Sequence, residues 1–216
     1  MASPALRRYR RISAAAAALI LPADADLGAL DALFGRRAPR RLELGCGHGE
    51  FIAALAAAHP EEDCLGIELD PLRVNKAAHK CAAAGAQHVR LLAAAAEAVL
   101  PRLPPAAFHR IYALFPDPWP KRAHRRRRLL NRATLLALAR LAVPGCRLIV
   151  SSDCHEYALQ VLTNATTLPG LWRPLLPNGY ALDLPVRFVT VFERHKRAEG
   201  ARIMHVHLER SAVPLP

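Results

Sequence analysis

Two stretches of this chain combine residue types that can do chemistry. In Phe115-Pro116-Asp117-Pro118-Trp119-Pro120-Lys121 a carboxylate stands between two prolines, beside an aromatic face and ahead of a cation. Each proline fixes its own φ and biases the residue before it, so Asp117 is presented from a backbone that cannot drift far. The bland alternative is a rigid turn with an incidental acid; the six cations within residues 121–128, with no acid among them, weigh against it. In residues 42–50, Leu-Glu-Leu-Gly-Cys-Gly-His-Gly-Glu, an apolar run ends in Gly45, Gly47 and Gly49. Glycines there relieve the strain of unusual dihedrals and let main-chain N–H groups approach a ligand with no side chain between. Alone this turn is weak: it can be pure structure, and it lacks the last glycine of G-x-G-x-x-G, so a nicotinamide dinucleotide is a poor first assignment.

The elements that must position these residues alternate. The apolar run before Gly45 reads as a strand and residues 50–59 as a helix. Residues 64–68 are a buried strand ending in Glu68, after which Pro71 opens a helix to about Ala84. Glu68 follows Glu43 by about 25 positions, near the ~20-residue spacing at which such folds place a carboxylate on ribose hydroxyls. A helix cap is the other reading of Glu68, and the glycine turn upstream favours the ribose. Residues 89–92 and 108–114 give a third and fourth strand, 131–141 a helix, 146–151 a fifth strand and 153–164 a further helix. The expected fold class is α/β, a doubly wound, mostly parallel sheet. Residues 187–194 and 201–210 alternate polar and apolar around Ala198-Glu199-Gly200, which predicts a C-terminal antiparallel hairpin at the sheet edge. Asp117 then follows the fourth strand, at the carboxyl ends where open α/β sheets bind ligands.

A chain of 216 residues is long enough for one domain with a core, here residues 38–216, preceded at 1–37 by a basic arm and a helical lead-in. In that lead-in Leu27, Leu30, Leu33 and Phe34 recur at helical spacing; a disordered tail is the other reading. Lys and Arg number 30 against 18 Asp and Glu, a net charge of +12. The cations cluster: Arg7, Arg8, Arg10 and Arg11 around Tyr9; Arg36, Arg37, Arg40 and Arg41 before the glycine turn; and residues 121–128. This favours nucleic acid as partner, with an anionic membrane surface second. The five cysteines, Cys46, Cys64, Cys81, Cys146 and Cys154, form no C-x-x-C pair. That argues against a disulfide framework or structural zinc and fits a reducing, cytoplasmic compartment. Residues 7–25 imitate a signal peptide, but their apolar run is mostly alanine, and no stretch approaches a transmembrane length, so no membrane role is expected. His205 and His207 lack a third ligand and read as surface residues, so no metal is expected. Cys154 and His155 lack the orienting partner a thiol nucleophile needs.

The chain resembles the bacterial tRNA (guanine-N7)-methyltransferases. The residues that carry the resemblance are 7–11, Leu33-Phe34-Gly35-Arg36, 43–49, Gly66-Ile67-Glu68, 115–121, Ser152-Asp153 and Thr190-Val191-Phe192-Glu193-Arg194. The glycine turn is generic to methyltransferases, whereas the FPDPW segment with its basic run and the TxFER segment are specific. The resemblance implies a class I, Rossmann-like fold and S-adenosyl-L-methionine as cofactor, with Glu43, Gly45, Gly47, Gly49 and Glu68 binding it. It further implies tRNA as substrate, methylated on the variable-loop guanosine, with Asp117 as the central site residue and Lys121, Asp153, Thr190, Phe192 and Glu193 binding substrate. Two positions depart from the pattern: Ala95 stands where the family has an acid near the adenine, and Val191 where it has a lysine. Glu97, two positions on from Ala95, is a candidate substitute.

The chemistry needs little from the protein. Guanine N7 has a free lone pair and no proton, so attack on a sulfonium methyl needs no general base, only placement of the reactants. A carboxylate accepts hydrogen bonds from guanine N1–H and N2–H, selects against adenine, and favours the positive purine formed at N7. Asp117 is the expected catalytic residue in that role, with Asp153 or Glu193 as helpers. Two alternatives stay open: a methyltransferase of another RNA, and, motivated by Ala95, a tRNA-binding protein with a degenerate cofactor site.

Overall fold

The computed structural model describes residues 12–168, 170–185 and 188–215, which fall into two compact units divided after Val99. The arginine cluster at 7–11 lies outside the described residues. In the first unit, β1 (Arg40–Leu44), β2 (Asp63–Glu68) and β3 (Val89–Ala93) pair in parallel in the order β3-β2-β1. Leu42, Leu44, Leu65, Ile67, Leu91 and Leu92 are buried, the unalternating apolar pattern of a sheet covered on both faces. Between the strands run two helices, Glu50–Ala58 and Pro71–Ala83; the second starts with Asp70 accepting the Leu72 N–H at 2.8 Å and Pro71 in its first turn. The residues ahead of β1 are packed, not loose. Two short helical turns, Ala14–Ala17 and Leu30–Phe34, bury Ala16, Leu30 and Phe34, and Leu19 and Leu21 exchange backbone bonds with Leu91 at 2.8 Å.

Their cations are also used internally. Arg36 donates to Asp63, itself fully buried, at 2.6 Å; Arg40 meets Asp31, and Arg41 meets Glu62. Arg36, Arg40 and Arg41 thus brace the unit through ion pairs, while Arg36 and Arg37 remain exposed.

In the second unit the strands are β4 (Phe108–Leu114), β5 (Ala142–Ser152), β6 (Trp172–Pro174), β7 (Tyr180–Leu182) and β8 (Met204–Arg210). The order is β4-β5-β8-β6, with β7 also on β8; β4 and β5 are parallel, and β8 is antiparallel to its neighbours. Helices Arg132–Leu141, His155–Thr166 and Val191–Ala198 complete the unit, with a 3-10 turn at Arg122–Arg127. They are named here α6, α7 and α8, after α1 and α2 for the two lead-in turns, α3 and α4 for the two helices between the strands, and α5 for Ala96–Val99.

Two expectations need correction. Residues 191–194 are not a strand but the opening turn of α8. Thr190 Oγ1 accepts the Glu193 N–H at 3.0 Å, and that cap outweighs a short alternation of polar and apolar residues. Hence β8 is no edge strand of a hairpin; β6 and β7 cover the side that β5 does not. His205 is likewise no surface residue. It is fully buried on β8, and its Nδ1 shares a hydrogen bond with Ser151 Oγ at 2.9 Å. Burial, with His207 and Arg197 nearby, pushes it down to about 4, so it is neutral at physiological pH.

Candidate active site

In the first unit, the end of β1 runs into the glycine turn and α3. Gly45 and Cys46 N–H both reach the Ile67 carbonyl, at 2.8 and 3.1 Å, and Gly47 N–H reaches Glu68 Oε2 at 3.0 Å. Glu68 Oε1 accepts the Asp70 N–H at 3.0 Å. This carboxylate braces the turn and the start of α4, and with about four acceptor sites it still has capacity for hydroxyls. The glycines differ in role. A Cβ on Gly45 would meet nothing within 4 Å, so its φ of 72° faces open space; one on Gly49 would lie 2.5 Å from Ala77, so Gly49 lets α3 pack on α4.

Glu43 is buried at the end of β1, and its Oε2 has no hydrogen-bond partner among the described residues. Burial, helped by the nearby charges of Glu50 and Glu68, pushes its carboxyl up to about 8. A buried acceptor without a donor is rare in a folded chain, and here it marks a place for a donor or positive charge from outside. The same open turn and orphaned oxygen fit an adenosyl ligand carrying an ammonium and a sulfonium. Ala95 is half-buried just ahead of α5, and Glu97 is exposed in its first turn. Burial pushes the Cys46 thiol up, as it does those of Cys64, Cys81 and Cys146, so Cys46 is no nucleophile.

The second unit holds the acid loop, after β4. Phe115 N–H bonds to the Ser151 carbonyl at 2.7 Å, and Phe115 and Trp119 adopt φ of 53° and 40°. Left-handed backbone at bulky residues is strained and persists only where the surroundings hold it. Asp117, between them, is exposed. The rings of Phe115 and Phe192 of α8 meet at a 51° tilt with centroids 5.0 Å apart; Lys196, one turn on, stands 5.6 Å over Phe192 and 3.8 Å from Asp153. The structure thus brings together the acid loop, Asp153 and the Thr190–Glu193 segment. Within that segment Phe192 is exposed, whereas Glu193 is buried and accepts both Nε and Nη2 of Arg197, at 2.9 and 2.7 Å. Lys121 is exposed at the start of the 3-10 turn, and its carbonyl takes the His124 N–H at 2.8 Å.

Of the basic run, Lys121, Arg122, Arg125, Arg126 and Arg127 are exposed, and Arg127 lies 5.0 Å over Trp119. Arg128 is fully buried, which corrects its place in the phosphate-binding patch. The apolar Leu129-Leu130 that follow it were the available signal that the chain turns inward there, and Leu130 is buried. Sequence reasoning also missed Arg197 and Asp183, which tie α8 to the chain before β8: Asp183 takes Arg197 at 3.2 Å and the Ile203 N–H at 2.8 Å. Among the described residues, His59, Glu61 and Glu62 bring three ligand atoms within 4.8 Å of one another; Glu62 is paired with Arg41.

A family model described as "Putative methyltransferase" matches residues 37–206. A tRNA (guanine-N(7)-)-methyltransferase of Acidithiobacillus ferrooxidans is 38% identical over 167 residues, covering 77% of this chain and 72% of its own. The chain belongs to the tRNA (guanine-N7)-methyltransferase family. The enzyme of that name from Alkalilimnicola ehrlichii is 35% identical over 186 residues, covering 86% and 78% of the two chains. Among solved structures, an antibiotic-related methyltransferase superposes with a TM-score of 0.59 at 17% identity, covering 89% of this chain and 97% of its own. The fold is that of class I methyltransferases, mostly parallel with antiparallel C-terminal strands, and the cofactor of this family is S-adenosylmethionine.

Proposed function

We propose that this chain transfers a methyl group from S-adenosylmethionine to N7 of a guanosine in tRNA, the variable-loop guanosine by resemblance. One observation carries the reading: an exposed carboxylate, Asp117, sits on a strained, proline-fixed loop within the region shared with tRNA (guanine-N7)-methyltransferases. The cofactor supplies an electrophilic methyl on a positive sulfur. Glu43 offers a buried acceptor to its charge, Gly45 and Gly47 bring backbone close, and Glu68 offers acceptors to ribose hydroxyls. Gly49 supports this indirectly, through the packing of α3. Ala95 supplies no acceptor for the adenine, so affinity is weakened, not lost.

Asp117 accepts from guanine N1–H and N2–H and stabilises the cation formed at N7. Phe192 gives an exposed ring on which a base can stack, a contact worth ~1–3 kcal/mol per base. Thr190 and Glu193 set the angle of α8 beneath it, and Asp153 holds Lys196 over its face. Lys121 and the arginines of the 3-10 turn meet phosphates. With about three such contacts the log–log salt slope from this patch is near −2 to −3. Residues 38–216 form the catalytic domain, with residues 1–37 as a basic lead-in whose described part packs on β3. Five free cysteines suit the cytoplasm, and among the described residues no helix is long and apolar enough to cross a membrane.

The test is incubation with methyl-labelled cofactor and unmodified tRNA, followed by mapping of the labelled base. Label at N7 of a variable-loop guanosine is expected. Label on another base refutes the substrate reading. Cofactor titration that gives no heat at millimolar concentration sinks the enzyme reading in favour of a tRNA-binding protein.

A further inference from the structure

Arg128 ends the basic run but does not share its environment. Its guanidinium is fully buried, and every edge of it is engaged. Nε donates to the Pro118 carbonyl at 2.7 Å; Nη1 and Nη2 meet Glu156 Oε1 and Oε2 at 3.0 and 2.7 Å; Nη1 also meets Gln160 Oε1. The plane lies 4.9 Å from the ring of Tyr157, whose hydroxyl accepts the Leu130 N–H at 2.9 Å. One side chain therefore ties the first turn of α7 to the Pro118–Trp119 peptide, one residue beyond Asp117.

We propose that Arg128 is a positioning residue that holds Asp117 at its working place, so that the last cation of the run acts on the chemical step and not on RNA affinity. The proposal rests on the reading of Asp117 as the residue that contacts the guanine. Pro118 separates Asp117 from Trp119, whose backbone is left-handed; without a fixed donor on the Pro118 carbonyl the loop is free to relax out of that conformation. The guanidinium suits the task because its planar fork grips a carboxylate through two bonds while its Nε reaches a third acceptor. A lysine keeps the charge but not this geometry. Glu156 is the anchor at the other end; Glu156→Gln keeps its shape and one acceptor for the guanidinium while removing the charge and the second carboxylate oxygen.

The test compares Arg128→Lys, Glu156→Gln and Arg127→Met with the wild-type chain on unmodified tRNA. Arg128→Lys is expected to lower kcat roughly 10- to 100-fold, the scale of an ~1 Å misplacement at a reacting centre, with the KM for tRNA changed by less than about twofold and the salt slope unaltered. Glu156→Gln is expected to lower kcat in the same way but less, and the double variant to be no worse than Arg128→Lys alone, since both act through one contact. Arg127→Met is expected to raise KM and make the salt slope shallower by about 1. Iodide quenching reads the loop without turnover, because Trp172 is buried and Trp119 is not. Quenching is expected to increase in both Arg128→Lys and Glu156→Gln.

Wild-type kcat in Arg128→Lys overturns the proposal, and so does a raised KM with a flattened salt slope, the behaviour of a phosphate ligand. If Arg128→Lys fails to fold, Glu156→Gln decides: unchanged kcat and unchanged quenching overturn the proposal. A wild-type chain that transfers no methyl to tRNA refutes the functional reading instead, and the quenching alone then decides whether Arg128 holds the loop.

Discussion

Cofactor binding should expel a proton from Glu43, and calorimetry can count it. Glu43 is buried with an unpartnered Oε2, and its surroundings lift its carboxyl from 4.5 to about 8, so near pH 7 it is mostly protonated. S-adenosylmethionine brings a sulfonium and an ammonium, and positive charge beside a buried carboxyl favours its ionised form. At ~1.36 kcal/mol per unit, restoring Glu43 to its ordinary value takes roughly 4–5 kcal/mol, drawn from the attraction between the cofactor's charge and the carboxylate. The sign follows from the raised value in the free chain. Below about 8 the proton is in place and must leave on binding, so affinity rises by up to about tenfold per pH unit toward 8 and flattens above it. Titrations near pH 7 in phosphate and in Tris, whose ionisation heats differ, should report release of about one proton, and near pH 9 almost none. In Glu43→Gln the release should vanish and the affinity become nearly independent of pH. Identical heats in the two buffers near pH 7, or as many protons released by Glu43→Gln as by the wild type, refute the reasoning. The free chain obeys the same linkage. A raised folded-state value gives stability that is complete below 4.5 and lost as pH rises through about 8, so the melting curves of wild type and Glu43→Gln should diverge across that window.

Other outcomes are as specific. Asp117→Asn should lower kcat by roughly 10²- to 10³-fold, the scale of losing one preorganised electrostatic contact, with cofactor affinity measured by titration unchanged. Arg36→Met should leave the salt slope of tRNA binding intact but lower the melting temperature, because it strips a partner from the buried Asp63, a loss of about 1–3 kcal/mol. Gly49→Ala should unfold or severely destabilise the chain, whereas Gly45→Ala should cost only about 1–2 kcal/mol of backbone strain, as thermal melts of the two will show. His205, neutral in the fold, should make stability fall as pH drops from 6.5 toward about 4; a His205→Gln variant followed by acid titration should lose that slope.

The strand-helix alternation was legible because the strands are continuous apolar runs and the helices open on strong local signals. Asp70-Pro71 and Asn131 do in the structure what their residue types suggest, capping helices through side-chain oxygens. The glycine turn was legible for a related reason: glycines and an acid at fixed spacing are properties of the backbone path, and in the fold Gly47 N–H meets the Glu68 carboxylate. What sequence hid was the destination of charge. Arg36, Arg41 and Arg128 read like any other cations, yet each is bound to an acid, Asp63, Glu62 or Glu156, that lies 21 to 28 positions away. A run of arginines records charge and says little about which member turns inward; that is set by the acid facing it across the fold.

The C-terminal segment shows the same limit and its consequence. Read as a strand, residues 190–193 put Thr190 and Phe192 on one face; as the first turn of α8, they put Phe192 and Lys196 together instead. The helical reading was available in Thr190 and Glu193, three apart with the spacing of a capping pair, but a few alternating residues ahead of it carried the opposite suggestion. The difference matters for the site. Val191 brings no cation to this segment, yet α8 brings Lys196 over the ring of Phe192 and within 3.8 Å of Asp153. A cation therefore stands at this face of the helix even though residues 190–193 carry none, one turn later than a reading of those residues alone would look for it.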